Sequence, residues 1–239
     1  MSIPFRHAAY FAPALNSQAW DLGSQWLGRC ARNSTPLEPP KFENISSELF
    51  DSLTSTPRLY GWHATLKAPF ELNTHTRLEE LRNAFKQLAD NTVEAFHLPL
   101  KLVELGDFLA LLPSQPSPEL QRFAERCVRE LHSFALPLSE SELQRRTGAG
   151  LTTRQEELLN EWGYPFVMDQ FKFHLTLSGS LKNVEPQVKE NLKNAAHAWF
   201  APLIEDGLEI DAVTWFTQDQ KNQDFRWVER FEFGTSNCA

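Results

Sequence analysis

One arrangement occurs twice in this 239-residue chain and limits its fold more than any other feature. A β-segment carrying His-x-Thr-Leu is followed by an amphipathic helix and then by a β-hairpin. The first copy runs from GWHATLKAPFEL, a strand ended near Pro69, through a helix over 77–90 to strands 98–105 and 107–112 joined at Gly106. The second runs from FKFHLTLSG at 171–179 through a helix over 186–199 to strands 208–216 and 224–233. His63 lies 39 residues before Leu102, and His174 lies 39 residues before Val213. The match is of pattern and spacing rather than identity, and it predicts a duplicated unit. The expected fold is α+β: one domain over 1–239, made of two pseudo-symmetric lobes. Two antiparallel sheets would face a central cleft with helices outside; a single mixed sheet is the alternative.

The remaining segments fit around these units. Residues 7–12 read as a strand closed by Pro13, and 15–28 as a helix with Leu15, Ala19, Leu22, Trp26 and Leu27 on one face. Pro and Ser mark 31–41 as a loop, and 44–55 as a short helix follows. A helix over 117–133 opens with Ser117 as cap and Pro118 in its first turn. Two short helices at 139–146 and 152–162 follow, the second stopped by Gly163 and Pro165.

Composition narrows the function. With 41% hydrophobic residues the chain can bury a sizeable core. It has no apolar run near the ~18–20 residues of a membrane span, and its start lacks the pattern of a secretory leader. Cys30, Cys127 and Cys238 are far apart without a Cys-x-x-Cys, which predicts reduced thiols in a cytoplasm. A net charge of -8 argues against long nucleic acid. A small phosphorylated substrate, no cofactor and a monomer are expected.

The chemistry centres on His63-Ala64-Thr65-Leu66 and His174-Leu175-Thr176-Leu177. Strand side chains alternate, so His63 shares a face with Thr65, and His174 with Thr176. Extending the parity adds Lys67 to the first face, and Lys172 and Ser178 to the second. Trp62 and Phe173 fall on the apolar faces. Two imidazoles that titrate near neutrality suit phosphodiester hydrolysis, one taking a proton and the other giving one. The threonine hydroxyls would hold the non-bridging oxygens, and Lys67 or a nearby Arg would offset developing charge. No acidic residue stands beside either His on the polar face, so three metal ligands are not in view and no metal is expected.

The paired motifs resemble the 2H phosphoesterase superfamily. Longer strings resemble its group encoded with carbon–phosphorus lyase genes, the phosphonate metabolism protein or domain of unknown function 1045. They are Ala9-Tyr10-Phe11-Ala12-Pro13, Tyr60-Gly61-Trp62-His63-Ala64-Thr65-Leu66-Lys67-Ala68-Pro69-Phe70, Glu142-Leu143-Gln144-Arg145-Arg146, Leu151-Thr152-Thr153-Arg154-Gln155, Trp162-Gly163-Tyr164-Pro165 and Phe171-Lys172-Phe173-His174-Leu175-Thr176-Leu177-Ser178-Gly179. The resemblance implies a bilobal fold, cyclic phosphodiesterase chemistry, and catalytic roles for His63, Thr65, His174 and Thr176. It further implies a small ribosyl phosphate such as a cyclic one. Two departures stand out: His7 where Tyr is usual, which is expected to alter substrate contacts, and Trp62 where Phe is usual, which is harmless on an apolar face.

Arg145 and Arg146, before the glycines of RRTGAGLTTRQ, are candidates to close on a phosphate, since the guanidinium fork matches its oxygens. The alternative is a solvated helix end. Tyr164 is a candidate for the pocket rim, whereas Tyr10 reads as core packing. His75, His97, His132 and His197 read as surface or packing residues. Two rival functions remain at this point: a phosphate-ligand binding or scaffold module without turnover, and a 2',3'-cyclic phosphodiesterase of RNA ends.

Overall fold

The computed structural model describes residues 3–92, 94–148 and 150–234. Cys238 and Ala149, in the expected basic loop, lie outside the described residues.

Local signals set most elements. The strand β1 (Arg6–Phe11) leads to α1 (Gln18–Leu27), whose first turn is capped by Ser17 and which ends at Gly28 in the left-handed conformation. β2 (Arg29–Cys30), just before the expected 31–41 loop, and β3 (Thr35–Pro36), within it, make a two-residue ladder. Helix α2 (Ser47–Arg58), capped by Ser46, precedes β4 (Ala64–Phe70), which carries the first motif. Then come α3 (Leu78–Asp90), β5 (Phe96–Leu98), β6 (Leu100–Leu105) and β7 (Phe108–Pro113). Helices α4 (Pro118–His132), α5 (Glu140–Thr147) and α6 (Thr153–Trp162) follow, the first with the expected cap Ser117 and the last capped by Thr152. The second motif reaches β8 (Leu175–Thr176), then α7 (Pro186–Trp199) and α8 (Ala201–Asp206). The chain closes on β9 (Leu208–Ile210), β10 (Ala212–Gln218) and β11 (Phe225–Glu232).

The class is α+β with antiparallel pairing, as expected. The two strand sets differ from the expectation in one respect: they join into one seven-stranded sheet, in the order β11-β10-β1-β4-β8-β7-β6. The join is the pair Ala64↔Leu175, between the two motif strands. Each of these strands would otherwise leave an open edge of unpaired N–H and C=O groups, and each fills the other's. The hairpins are exchanged about this join. The first unit's hairpin, β6-β7, lies beside β8, and the second unit's hairpin, β10-β11, lies beyond β1 on the side of β4.

Two expected strands are shorter than their sequence pattern. The 171–179 segment pairs only at Leu175 and Thr176, because its flanking polar groups bond elsewhere. The Lys172 carbonyl receives the His174 ring, Gly179 N–H donates to the Leu53 carbonyl of α2, and the Ser178 hydroxyl takes the Leu109 N–H. The 208–216 strand breaks at Asp211: β9 pairs with β5, and β10 turns to β1. Asp211 is ion-paired with Arg230 at that break.

The face of the sheet away from the motif histidines packs on helices. There Phe85 of α3 stacks on Trp215 at 5.9 Å, and Trp62, Phe200 and Trp26 form a buried aromatic cluster with Phe50 of α2. Gly23 in α1 sits directly against the Trp62 indole, which requires the absence of a side chain there.

Candidate active site

The register at the join places the four motif side chains. Carrying Ala64↔Leu175 one residue each way sets His63 opposite Thr176 and Thr65 opposite His174. Residues opposite one another share a face, so both imidazoles and both hydroxyls lie on the same side of the sheet, arranged as a crossed pair. All four are half-buried, whereas Ala64, Leu66, Leu175 and Leu177 between them are buried.

Both imidazoles are held by the same backbone device. His63 Nδ1 lies 2.9 Å from the Gly61 carbonyl, and His174 Nδ1 lies 2.7 Å from the Lys172 carbonyl. A carbonyl only accepts, so Nδ1 carries the proton in both rings, and Nε2 is the free basic nitrogen. The Thr65 hydroxyl reaches His63 Nε2 at 3.3 Å. Gly61 has a φ of +77°, which a side chain rarely adopts, and this turn is what presents its carbonyl to His63.

Electrostatics distinguish the two rings. Burial pulls the His63 pKa down to about 4; the Gly61 bond opposes this, and His174 and Arg29 lower it further. Burial also lowers that of His174, against the opposing bond to the Lys172 carbonyl. His63 is the more enclosed ring: Tyr10 stacks on it at 3.8 Å, and Phe216 and Tyr60 lie 6.2 and 6.1 Å away. His174 has Phe108 at 5.7 Å.

The other predicted residues divide. Lys67 is not on the face of His63. Tyr10 pairs with Thr65, but Ala9 pairs with Lys67, so Leu66 is a bulge that inverts the alternation. Lys67 therefore turns to the helical side, buried near Cys127 and His132 of α4, with its ammonium 5.2 Å from the Phe70 ring. Pro69, two residues on, is the one sequence hint of an irregular strand. Ser178 is buried, its hydroxyl committed to Leu109 N–H and to the Gly179 carbonyl. Arg145 is exposed and paired with Glu142 at 2.7 Å. Arg146 binds Glu142 and donates to the Gly163 carbonyl at 2.9 Å, which ties α5 to the end of α6. Neither arginine is a free fork. Tyr164 packs against the small cluster of Val128, Leu158, Val167 and Met168, with the Phe166 ring 5.6 Å away. Lys172 is exposed, and its carbonyl rather than its ammonium contacts His174.

His7 is also corrected. On β1 it has the opposite parity to Tyr10, so it lies on the buried helical side. There it accepts from Trp215 Nε1 at 3.1 Å, fully buried and on the face away from the motif histidines. Two residues were missed. Tyr10 is a packing residue that also forms the floor under His63. Arg29 is a buried cation acting on His63, and it donates to the carbonyls of Arg58, Leu59 and Phe225. The tight turn at Gly61 is where the Arg29 guanidinium comes close, 3.3 Å from the position a Gly61 side chain would take. Nothing local in the sequence marks Arg29. Among the described residues no group of three His, Cys, Asp or Glu is placed to hold a metal ion, and no helix is long and apolar enough to cross a membrane.

Fold and site together define an antiparallel α+β protein whose sheet carries two imidazole–hydroxyl pairs on one face. The chain belongs to the family described as "Protein of unknown function (DUF1045)", which matches residues 65–226. The ribose 1,5-bisphosphate phosphokinase PhnN of Janthinobacterium sp. (strain Marseille) is 34% identical over 229 residues, 95% of this chain and 51% of that protein. The protein of the same name from Laribacter hongkongensis (strain HLHK9) is 34% identical over 180 residues, 75% of this chain and 41% of that protein. The chain thus spans about half the length of the curated relatives it matches. Two solved structures align over 97% of this chain and 99% of their own, each at 12% identity: a phosphoesterase at a TM-score of 0.39, and E. coli LigT complexed with 3'-AMP at 0.42.

Proposed function

We propose that the chain is a phosphoesterase that opens a cyclic phosphate diester on a small sugar, by paired histidine acid–base catalysis. The observation that carries this reading is the register that sets His63 opposite Thr176 and Thr65 opposite His174 on one face, with Nε2 as the unprotonated nitrogen of both rings. His63, the more enclosed and the more firmly neutral ring, is the base. Its Nε2 takes a proton from water as the water oxygen attacks phosphorus. His174 is the acid: the phosphate charge raises its pKa, and its Nε2 proton passes to the departing ring oxygen as that P–O bond breaks. Thr65 and Thr176 hydroxyls donate to the non-bridging oxygens. Acid, base and donors all come from this chain's own side chains, which supports a reaction that calls on no metal.

The name of the relatives supports a phosphorylated ribose as the substrate class. Their name assigns a phosphokinase acting on ribose 1,5-bisphosphate, yet this chain has no Gly-x-x-x-x-Gly-Lys phosphate loop. We place the phosphorylating activity in the other half of those proteins and assign this half a neighbouring step. Hydrolysis of a 1,2-cyclic phosphate on ribose 5-phosphate, with cleavage at the oxygen on C2, adds one water and yields ribose 1,5-bisphosphate.

The test is phosphorus NMR of ribose 1,2-cyclic phosphate 5-phosphate, with adenosine 2',3'-cyclic phosphate in parallel, in the presence of EDTA. The wild type is expected to open the ribosyl ester. His63→Gln and His174→Gln should each lower kcat at least about 100-fold, the lower range for a positioned acid or base. Turnover that survives both substitutions would end the proposal. Binding without product would make the chain a ligand-binding module.

A further inference from the structure

A pocket of about 660 Å³ adjoins the second motif, and none of the four motif histidines and threonines lines it. Lys172 and Phe173, the residues just before His174, form one wall; Lys101, Leu112 and the turn into α4 form the others. The sheet register ties it to the chemistry. Lys101 pairs with Leu112, and carrying Leu111↔Leu175 on by one residue sets Leu112 opposite His174. Lys101, Leu112, His174, Thr65 and Tyr10 therefore form one row across four strand gaps, on one face.

We infer that this pocket is a subsite for a second phosphate group of the substrate, a monoester carried at the far end of the sugar from the reacting diester. Three observations carry the inference. Both ammonium groups are exposed, and among the described residues neither makes an ion pair. No carboxylate lines the pocket, in a chain whose net charge is -8. Lys101 stands two strand gaps from His174, about 10 Å at the usual spacing. A flexible lysine stem brings its charge inward from there, leaving a span that a pentose phosphorylated at both ends can bridge. The inference rests on the proposed function in taking His174 as the reacting end. It adds which residues hold the phosphate that does not react.

The experiment compares kcat/KM for ribose 1,2-cyclic phosphate with and without the 5-phosphate, in the wild type, Lys101→Met, Lys172→Met and the double variant. The wild type is expected to prefer the 5-phosphorylated ester. Each substitution should cut that preference about tenfold, the size of one hydrogen bond to a charged group, and raised salt should cut it further. A wild type without preference, or a preference that the double variant keeps, overturns the subsite. If the wild type turns over neither ester, the proposed function fails and calorimetry still decides the subsite. Ribose 1,5-bisphosphate should then bind the wild type more tightly than ribose 5-phosphate does, and the double variant should lose the difference. Equal affinities overturn it.

Discussion

Replacing Gly23 by Ala tests the packing that holds His63 in place. A Cβ on Gly23 would lie 2.0, 2.1 and 2.3 Å from three atoms of the Trp62 indole, where ordinary contact begins at 3.4 Å. The ring must retreat by more than an ångström, and it has nowhere to go: it is fully buried and stacked on Phe200 at 5.5 Å. Overpacking of this kind costs about 3 kcal/mol, the upper end of the usual range. Against it, Ala in a helix interior is favoured over Gly by about 1 kcal/mol, so the net loss is about 2 kcal/mol. The same substitution in a Trp62→Ala background should change sign and stabilise by up to about 1 kcal/mol, because the clash is gone and the helix preference remains. Urea denaturation of the four proteins gives the coupling, expected near 3 kcal/mol, well above the ~0.5 kcal/mol scatter of independent sites. A coupling within that scatter would refute the account of Gly23. Because Trp62 adjoins His63, Gly23→Ala should also lower kcat at temperatures where the protein stays folded.

Three further outcomes follow from particular contacts. The His63 and His7 pKa values both fall to about 4 in the fold, against 6.5 for a free imidazole, so the unfolded chain binds more protons between those values. Stability should therefore be full above pH 6.5 and decline as pH drops toward 4, by up to about 3 kcal/mol for each ring; His7→Asn should remove part of that decline in acid denaturation curves, and an unchanged curve would contradict it. Ser178→Ala should cost about 1–3 kcal/mol by stranding the buried Leu109 N–H, with faster hydrogen exchange at that amide as the diagnostic sign. Tyr10→Phe removes a buried hydroxyl that has no partner, so it should be neutral or stabilising by about 1 kcal/mol, whereas Tyr10→Leu, which strips the ring from His63, should lower kcat; a destabilised Tyr10→Phe would contradict this reading.

What the sequence determined alone is what nearest neighbours decide. Alternation put His63 with Thr65 and His174 with Thr176, and buried Trp62 and Phe173. Caps at Ser17, Ser46, Ser117 and Thr152 started helices where hydroxyls meet free N–H groups. The tertiary structure decided whatever depends on satisfying backbone groups between distant segments. It joined the motif strands at Ala64 and Leu175, exchanged the hairpins about that join, and broke the second strand at Asp211. It also inserted the Leu66 bulge, a single residue that carried Lys67 off the face of His63 and under α4. Arg29 and Lys101 reached the neighbourhood of the imidazoles by the same route, through pairings that no stretch of neighbouring residues records. Parity along one strand is a short-range rule, and it holds only until a partner strand demands a different hydrogen-bond count.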